Sequence, residues 1–185
     1  MNILLIYPKF PDTFWSFTYA LRFIKKKSAY PPLGLLTVAA LLPEQWPKRL
    51  VDENIDALKD EDLAWADLAF ISAMAVQRKS VADIIGRCNG MGLKIVAGGP
   101  LFTAEPDAFE QVDHLVLGEA ELTLPTFVAD MESGRPKRTY RATGYPDIHK
   151  TPIPFWHLID MRRYASLNIR HYRKICELYI LHGQI

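Results

Sequence analysis

The chain has 185 residues, 49% of them hydrophobic, with 22 basic residues against 21 acidic and a formal net charge of +1. That length holds one domain with chain left over, and the composition supplies enough apolar surface for a core. Balanced charge excludes a general attraction to nucleic acid or acidic lipid, and no apolar window approaches the roughly 20 residues of a membrane span. The amino-terminal stretch Met1 to Pro8 has no basic region before its short apolar run, so a cytoplasmic protein is expected. Cys88 and Cys176 lie far apart and predict no disulfide.

Ile3–Tyr7, an apolar run closed by Pro8, predicts a first parallel strand buried on both faces. Residues 9–32 form an insertion carrying Phe10, Phe14, Trp15, Phe17, Tyr19, Phe23 and Tyr30 around Lys25-Lys26-Lys27. It is too long for a plain connection, and suits a satellite core, a cover over a ligand or a docking face. Pro31-Pro32-Leu33-Gly34 leads into an apolar helix over Leu35–Leu42, stopped by Pro43. Arg49–Asp52 predicts a second strand, the acidic segment to Glu61 or Asp62 a helix, and Leu68–Ser72 a third strand. Ser80-Val81-Ala82-Asp83 has capping-box spacing, and Val81, Ile84, Ile85, Cys88 and Met91 fall on one helix face, which makes Cys88 a small core residue. After Gly90 and Gly92 comes the strand run Lys94 to Ala97, emptying into Gly98-Gly99-Pro100. Without Cβ atoms there, the main chain can approach a ligand, although an ordinary strand-to-helix turn has the same composition.

Glu105–Gln111 predicts a short helix, His114–Leu117 a fifth strand, and Gly118-Glu119-Ala120-Glu121 its exit loop. Thr123 is expected to cap the next helix, with Pro125 in its first turn and Leu124, Phe127, Val128 and Met131 as the buried stripe. Strands alternating with helices predict an α/β, doubly wound, Rossmann-like fold: a five-stranded parallel sheet with right-handed crossovers and helices on both faces. The domain is expected over residues 1–134. Residues 135–166 form a proline-rich linker with a short helix at Phe155–Asp160, and Tyr164–Ile169 is a candidate further strand.

Ligands of open parallel sheets bind outside the carboxyl ends of the strands. Those ends carry Tyr7-Pro8, Asp52-Glu53, Ser72-Ala73-Met74, Gly98-Gly99-Pro100 and Gly118-Glu119. No Gly-x-Gly-x-x-Gly, phosphate loop, Gly-x-Ser-x-Gly or His-x-x-x-His occurs, which removes the mechanisms of dinucleotide, P-loop and serine-elbow sites. The histidines His114, His149, His157, His171 and His182 are scattered singly.

In order, the Ile-Leu-Leu-Ile-Tyr-Pro strand, Pro31-Pro32-Leu33-Gly34-Leu35, Val51-Asp52-Glu53-Asn54, Ser72-Ala73-Met74, Ala97-Gly98-Gly99-Pro100 and Gly118-Glu119-Ala120-Glu121 form a series. Over roughly residues 1–170 the series resembles the cobalamin-binding domain at the front of cobalamin-dependent radical S-adenosylmethionine enzymes, in the branch of the hopanoid methylases. The resemblance implies cobalamin as cofactor. Ser72 and Met74 would meet its nucleotide tail, Gly98 and Gly99 would let the tail lie along the sheet edge, and Glu119 would lie beside it. Tyr7, Pro100 and Gly118 would complete the binding rim.

Two departures qualify that likeness. Related mutases carry Asp-x-His-x-x-Gly after the first strand, whose histidine ligates cobalt; Lys9-Phe10-Pro11-Asp12 stands here, so cobalamin would bind without a protein histidine. The family also continues into Cys-x-x-x-Cys-x-x-Cys, whose thiolates hold a four-iron cluster that takes S-adenosylmethionine. Here Tyr172, Cys176 and Tyr179 fit that spacing. Cys176 is left as the single metal-ligand candidate in 167–185, the remnant of a barrel, and cluster and S-adenosylmethionine are expected only in a full-length relative. The expected function is a cobalamin-binding module of a methyltransferase-like enzyme, not catalytic alone. The rival is a ligand-free interaction or dimerisation domain that packs on a barrel domain or on a second copy of the chain.

Overall fold

The computed structural model describes residues 1–12, 21 and 23–165. Six strands form one sheet: β1 (Ile3–Tyr7), β2 (Lys48–Asp52), β3 (Leu68–Ser72), β4 (Lys94–Gly98), β5 (His114–Leu117) and β6 (Thr139–Arg141). Their spatial order is β2-β1-β3-β4-β5-β6, and every neighbouring pair is parallel. The helices are α1 (Leu33–Leu41), α2 (Asp60–Trp65), α3 (Arg78–Gly90), α4 (Pro100–Ala104) and α5 (Ala120–Glu132).

The two-residue period of the strands divides the core. Leu4, Ile6, Ala69, Ile71, Ile95, Ala97, Leu115 and Leu117 face one layer, which contains Leu63 of α2, Val81, Ile84, Ile85 and Cys88 of α3, and Leu101 and Phe102 of α4. Ile3, Leu5, Leu68, Phe70, Val96 and Val116 face the other, where Leu35 and Ala39 of α1 meet Leu124 and Phe127 of α5. Burial on both faces explains why these strands are continuous apolar runs. The doubly wound expectation holds, with one strand more than expected.

The extra strand, β6, falls in the stretch expected to be linker, and its Tyr140 is buried beside Phe127 with ring centroids 5.3 Å apart. The step from β5 to β6 runs in the same direction as β3 to β4 and β4 to β5, yet α5 lies on the face of α1. That crossover therefore has the opposite hand to the four before it, against the expectation of a uniform hand. Leu124 and Phe127, buried on Phe70 and Val116, hold α5 to that face.

Local corrections have local causes. Ser80 does not open a helix: the turn Ala75–Gln77 runs directly into α3, and the Gln77 side chain accepts from Met74 N at 2.8 Å. Met91 lies beyond the end of α3 and is 46% exposed. Thr123 and Pro125 lie inside α5, which already starts at Ala120, and the Thr123 hydroxyl donates to Glu119 O at 3.0 Å. In place of a helix over Glu105–Gln111 there is one 3-10 turn, Pro106–Ala108, because the residue before a proline is pushed towards extended backbone and Glu105 has φ −137°. Phe155–Asp160 contains only the 3-10 turn Trp156–Leu158. Tyr164 forms an isolated parallel bridge with Ser28, and Ala165 N donates to Ser28 O at 2.9 Å; residues 166–169 of that candidate strand lie outside the described residues.

Candidate functional site

At the carboxyl ends of β3, β4 and β5 a cleft of about 510 Å³ opens between α1 and α5. Its floor is apolar, built from Phe70, Val96 and Val116, and Leu33, Leu35 and Val38 of α1 face Leu124 of α5 across it. The polar side chains are Ser72, Thr103, Glu119 and Glu121 at the rim and Thr37 on α1, whose hydroxyl donates to Leu33 O at 3.1 Å. Of the residues singled out by sequence, Ser72, Gly98, Gly99, Pro100, Gly118 and Glu119 all line this one cleft. Tyr7 and Met74 do not. Met74 is 49% exposed in the loop after β3. Tyr7 ends β1, its ring edge against Phe10 at 5.8 Å, and burial, with the nearby Asp52 carboxylate, pushes its hydroxyl up to about 12.

The glycines have a fold-internal cause. A Cβ on Gly98 would stand 2.7 Å from Val116 O of the neighbouring strand, and one on Gly99 would stand 2.7 Å from Ser72 Oγ and 3.3 Å from the Ala73 backbone. The space their missing side chains leave is thus filled by the chain itself. Gly99 also has φ 86° and ψ −178°, backbone that only glycine adopts readily. Gly118, at φ 83°, turns the chain out of β5 and donates its N–H to Thr103 Oγ1 at 3.2 Å. Ser72 Oγ, by contrast, has no hydrogen-bond partner among the described residues, which leaves a hydroxyl on the rim free to serve a ligand. The first turn of α5 opens on the same cleft with no side-chain cap from Glu119; Leu122 N and Thr123 N donate to Glu119 O, and the amides of Ala120 and Glu121 have no partner within the helix.

The segment after β1 is tied down. Lys9 N donates to Ser80 Oγ at 2.9 Å, Phe10 N to Asn54 Oδ1 at 2.9 Å, and the buried Gln77 side chain donates to Pro8 O. On the far side of β1, Asp52, one of the strand-end residues, is the centre of a polar node whose Tyr164 partner the sequence did not mark. Asp52 is 4% exposed, and it accepts from Asn54 N and Asn54 Nδ2 and from Tyr164 Oη at 3.0 Å. Burial raises its carboxyl above the ordinary range, while those bonds pull it down. Asp56 pairs with Arg163 and Lys27 beside it. Asp52 and Tyr164 are 112 residues apart, so no spacing in the sequence marks the pair. Cys176 lies outside the described residues, and among those described no three His, Cys, Asp or Glu side chains converge as a metal would need. No described helix is long and apolar enough to cross a membrane.

Residues 21–128, more than half of the chain, match the model of the B12 binding domain. The chain belongs to that family. In this B12-binding domain the match runs from before α1 into α5, and so takes in both helices of the cleft and its three strand ends, those of β3, β4 and β5. An uncharacterised methyltransferase of Synechocystis is 38% identical over 100% of the chain and 36% of its own length. The hopanoid C-2 methylase of Rhodopseudomonas palustris is 34% identical over 92% of the chain and 33% of its own length. The bacteriochlorophyllide d C-8(2)-methyltransferase of Chlorobaculum tepidum is 27% identical over 66% of the chain and 27% of its own length. The domain spans about a third of the length of the curated relatives it matches most extensively.

Proposed function

We propose that the protein is the cobalamin-binding module of a radical S-adenosylmethionine methyltransferase, and that the cleft between α1 and α5 takes the nucleotide tail of the cofactor. The observation that carries this is the convergence of Ser72, Gly98, Gly99, Pro100, Gly118 and Glu119 on one cleft of a B12-binding domain. The cleft fits such a group. Its volume is within the roughly 300–1,000 Å³ of small-ligand sites, its floor is apolar as a flat heterocycle requires, and Ser72 Oγ is unpartnered at the rim. The corrin ring is too large for the cleft and would rest on the rim formed by the strand ends, towards Tyr7 and Met74. Cobalamin, when bound, supplies a cobalt that carries a methyl group. The chain's own part is to bind and orient: Ser72 donates or accepts one hydrogen bond, the floor excludes water, and the tied segment Pro8 to Phe10 is held back from the cofactor and offers no imidazole. The relatives' names, two methyltransferases and a methylase, favour methyl transfer as the reaction that such a module serves. The four-iron cluster and S-adenosylmethionine enter this reading only for a full-length relative.

One observation favours the rival, a domain that keeps the fold without the ligand: Gly98 and Gly99 are required by packing whether or not anything binds. Titration of the protein with hydroxocobalamin, followed by absorbance after removal of free cofactor, separates the two. Saturable retention in the micromolar range is expected; a flat titration, with light scattering showing a dimer, would overturn the cofactor assignment.

A further inference from the structure

Four distances trace the course of the chain after β6. Ala142 O would lie 3.4 Å from a Cβ on Gly118, at the cleft rim. Thr151 Oγ1 donates to Glu121 Oε1 at 3.3 Å, on the first turn of α5. Phe155 N donates to Leu36 O at 2.9 Å on α1, and Lys48 Nζ stands 5.9 Å from the centre of the Phe155 ring. The segment from Ala142 to Phe155 thus passes from one wall of the cleft to the other while contributing nothing to its lining.

Its fastened points bracket an unfastened stretch. Gly144 has φ 103° and open space around it, a backbone joint that needs no repacking to turn. Beyond it the tip is preformed, since Asp147 Oδ1 accepts from His149 N at 3.0 Å and closes the turn Ile148–Lys150. Three large apolar side chains on this segment point at solvent: Tyr145 is 92% exposed, Ile148 66% and Ile153 65%. Apolar side chains left in water on a segment held to both walls of an apolar-floored cleft are placed to meet a ligand standing up out of that cleft.

We infer that residues 142–155 form a strap that swings at Gly144 and closes over the ligand in the α1–α5 cleft, with Tyr145, Ile148 and Ile153 covering it. The inference rests on the cofactor assignment above. Closure slows release without changing the cleft itself, because none of the three side chains lines it in the open form.

The test measures hydroxocobalamin release, by absorbance after rapid dilution, from the parent protein and from one carrying Tyr145→Ser, Ile148→Ser and Ile153→Ser. About tenfold faster release with unchanged association is expected, since each lost apolar contact removes only part of the cover. Trypsin acting at Lys150 in the unmodified protein is a second readout that needs no variant: bound hydroxocobalamin should slow that cut several-fold. Release and cleavage that both stay unchanged while the cofactor is demonstrably bound overturn the strap alone. If the parent protein retains no hydroxocobalamin, the cofactor assignment falls and the strap falls with it.

Discussion

Replacing Gly99 by alanine asks whether the end of β4 needs glycine for the fold itself. Gly99 has φ 86° and ψ −178°, where a side chain costs about 1–3 kcal/mol. The added Cβ would also meet Ser72 Oγ at 2.7 Å and the Ala73 backbone at 3.3 Å. The serine hydroxyl can rotate away. The Ala73 carbonyl cannot, because it accepts from Leu101 N at 3.0 Å and anchors α4. Backbone strain and the fixed contact together predict a loss of about 2–3 kcal/mol. At roughly 2–4 °C per kcal/mol for a chain of this size, Tm falls by about 4–12 °C. Thermal and urea unfolding followed by circular dichroism measure it. Adding Ser72→Ala should return less than about 1 kcal/mol, since it relieves the rotatable contact and leaves the strain. A Gly99→Ala protein within about 0.5 kcal/mol of its parent would refute the packing account. Ser72→Ala by itself is the cleaner probe of the cleft: with no protein partner lost, stability should hold within about 0.5 kcal/mol while hydroxocobalamin binds more weakly.

Burial raises the Asp52 carboxyl in the native state despite its bonds to Asn54 and Tyr164. A raised native pKa means that this group's stabilising contribution is whole below the ordinary carboxylate value and is lost as pH rises through the native one. Asp52→Asn, which keeps an acceptor for Asn54, should therefore compare better with its parent at pH 7 than at pH 4; urea midpoints at both values check this, and a comparison that improves towards acid contradicts it. Burial pushes the Cys88 thiol up to about 11, so in a Cys176→Ser background a disulfide reagent should find no reactive thiol until denaturant is added. Tyr140→Phe removes a donor to Asp130 Oδ2 at 2.9 Å and an acceptor for Lys137 N at 2.6 Å. It should cost about 1–2 kcal/mol and speed amide exchange in β6, with β1 and β3 unchanged.

Five of the six strands were legible, and four of them because burial on both faces demands an unbroken apolar run, as in Ile3–Tyr7 and Leu68–Ser72. β6 carries no such signal: among its three residues only Tyr140 is buried. The rim of the cleft was legible for a topological reason, since parallel strands bring their carboxyl ends to one edge and glycine or small polar residues mark where each strand stops. Its walls were not. An apolar helix such as α1 has the same pattern whether its leucines press on a sheet or line an opening, and Leu33 and Val38 do the second. Helix starts were misjudged where a cap-like residue had another use. Ser80 sits in the first turn of α3, as its third residue, where its hydroxyl accepts from Lys9 N and donates to Glu53.

The packing and ligand accounts of Gly98 and Gly99 are two sides of one geometry. Gly98 pairs with Ser72 on one side and Val116 on the other, and its missing Cβ is the space into which Val116 O projects. A side chain there would force β5 away from β4 just where both strands end, and Val116 and Gly118 would be carried outward with α5 behind them. The close approach that demands glycine is therefore also what keeps the cleft floor level and its two walls at a fixed separation. For that reason a bulky substitution at Gly98 would damage the fold and the cleft together, whereas Ser72 and the strap side chains, which the fold does not use, can be changed to question the cleft alone.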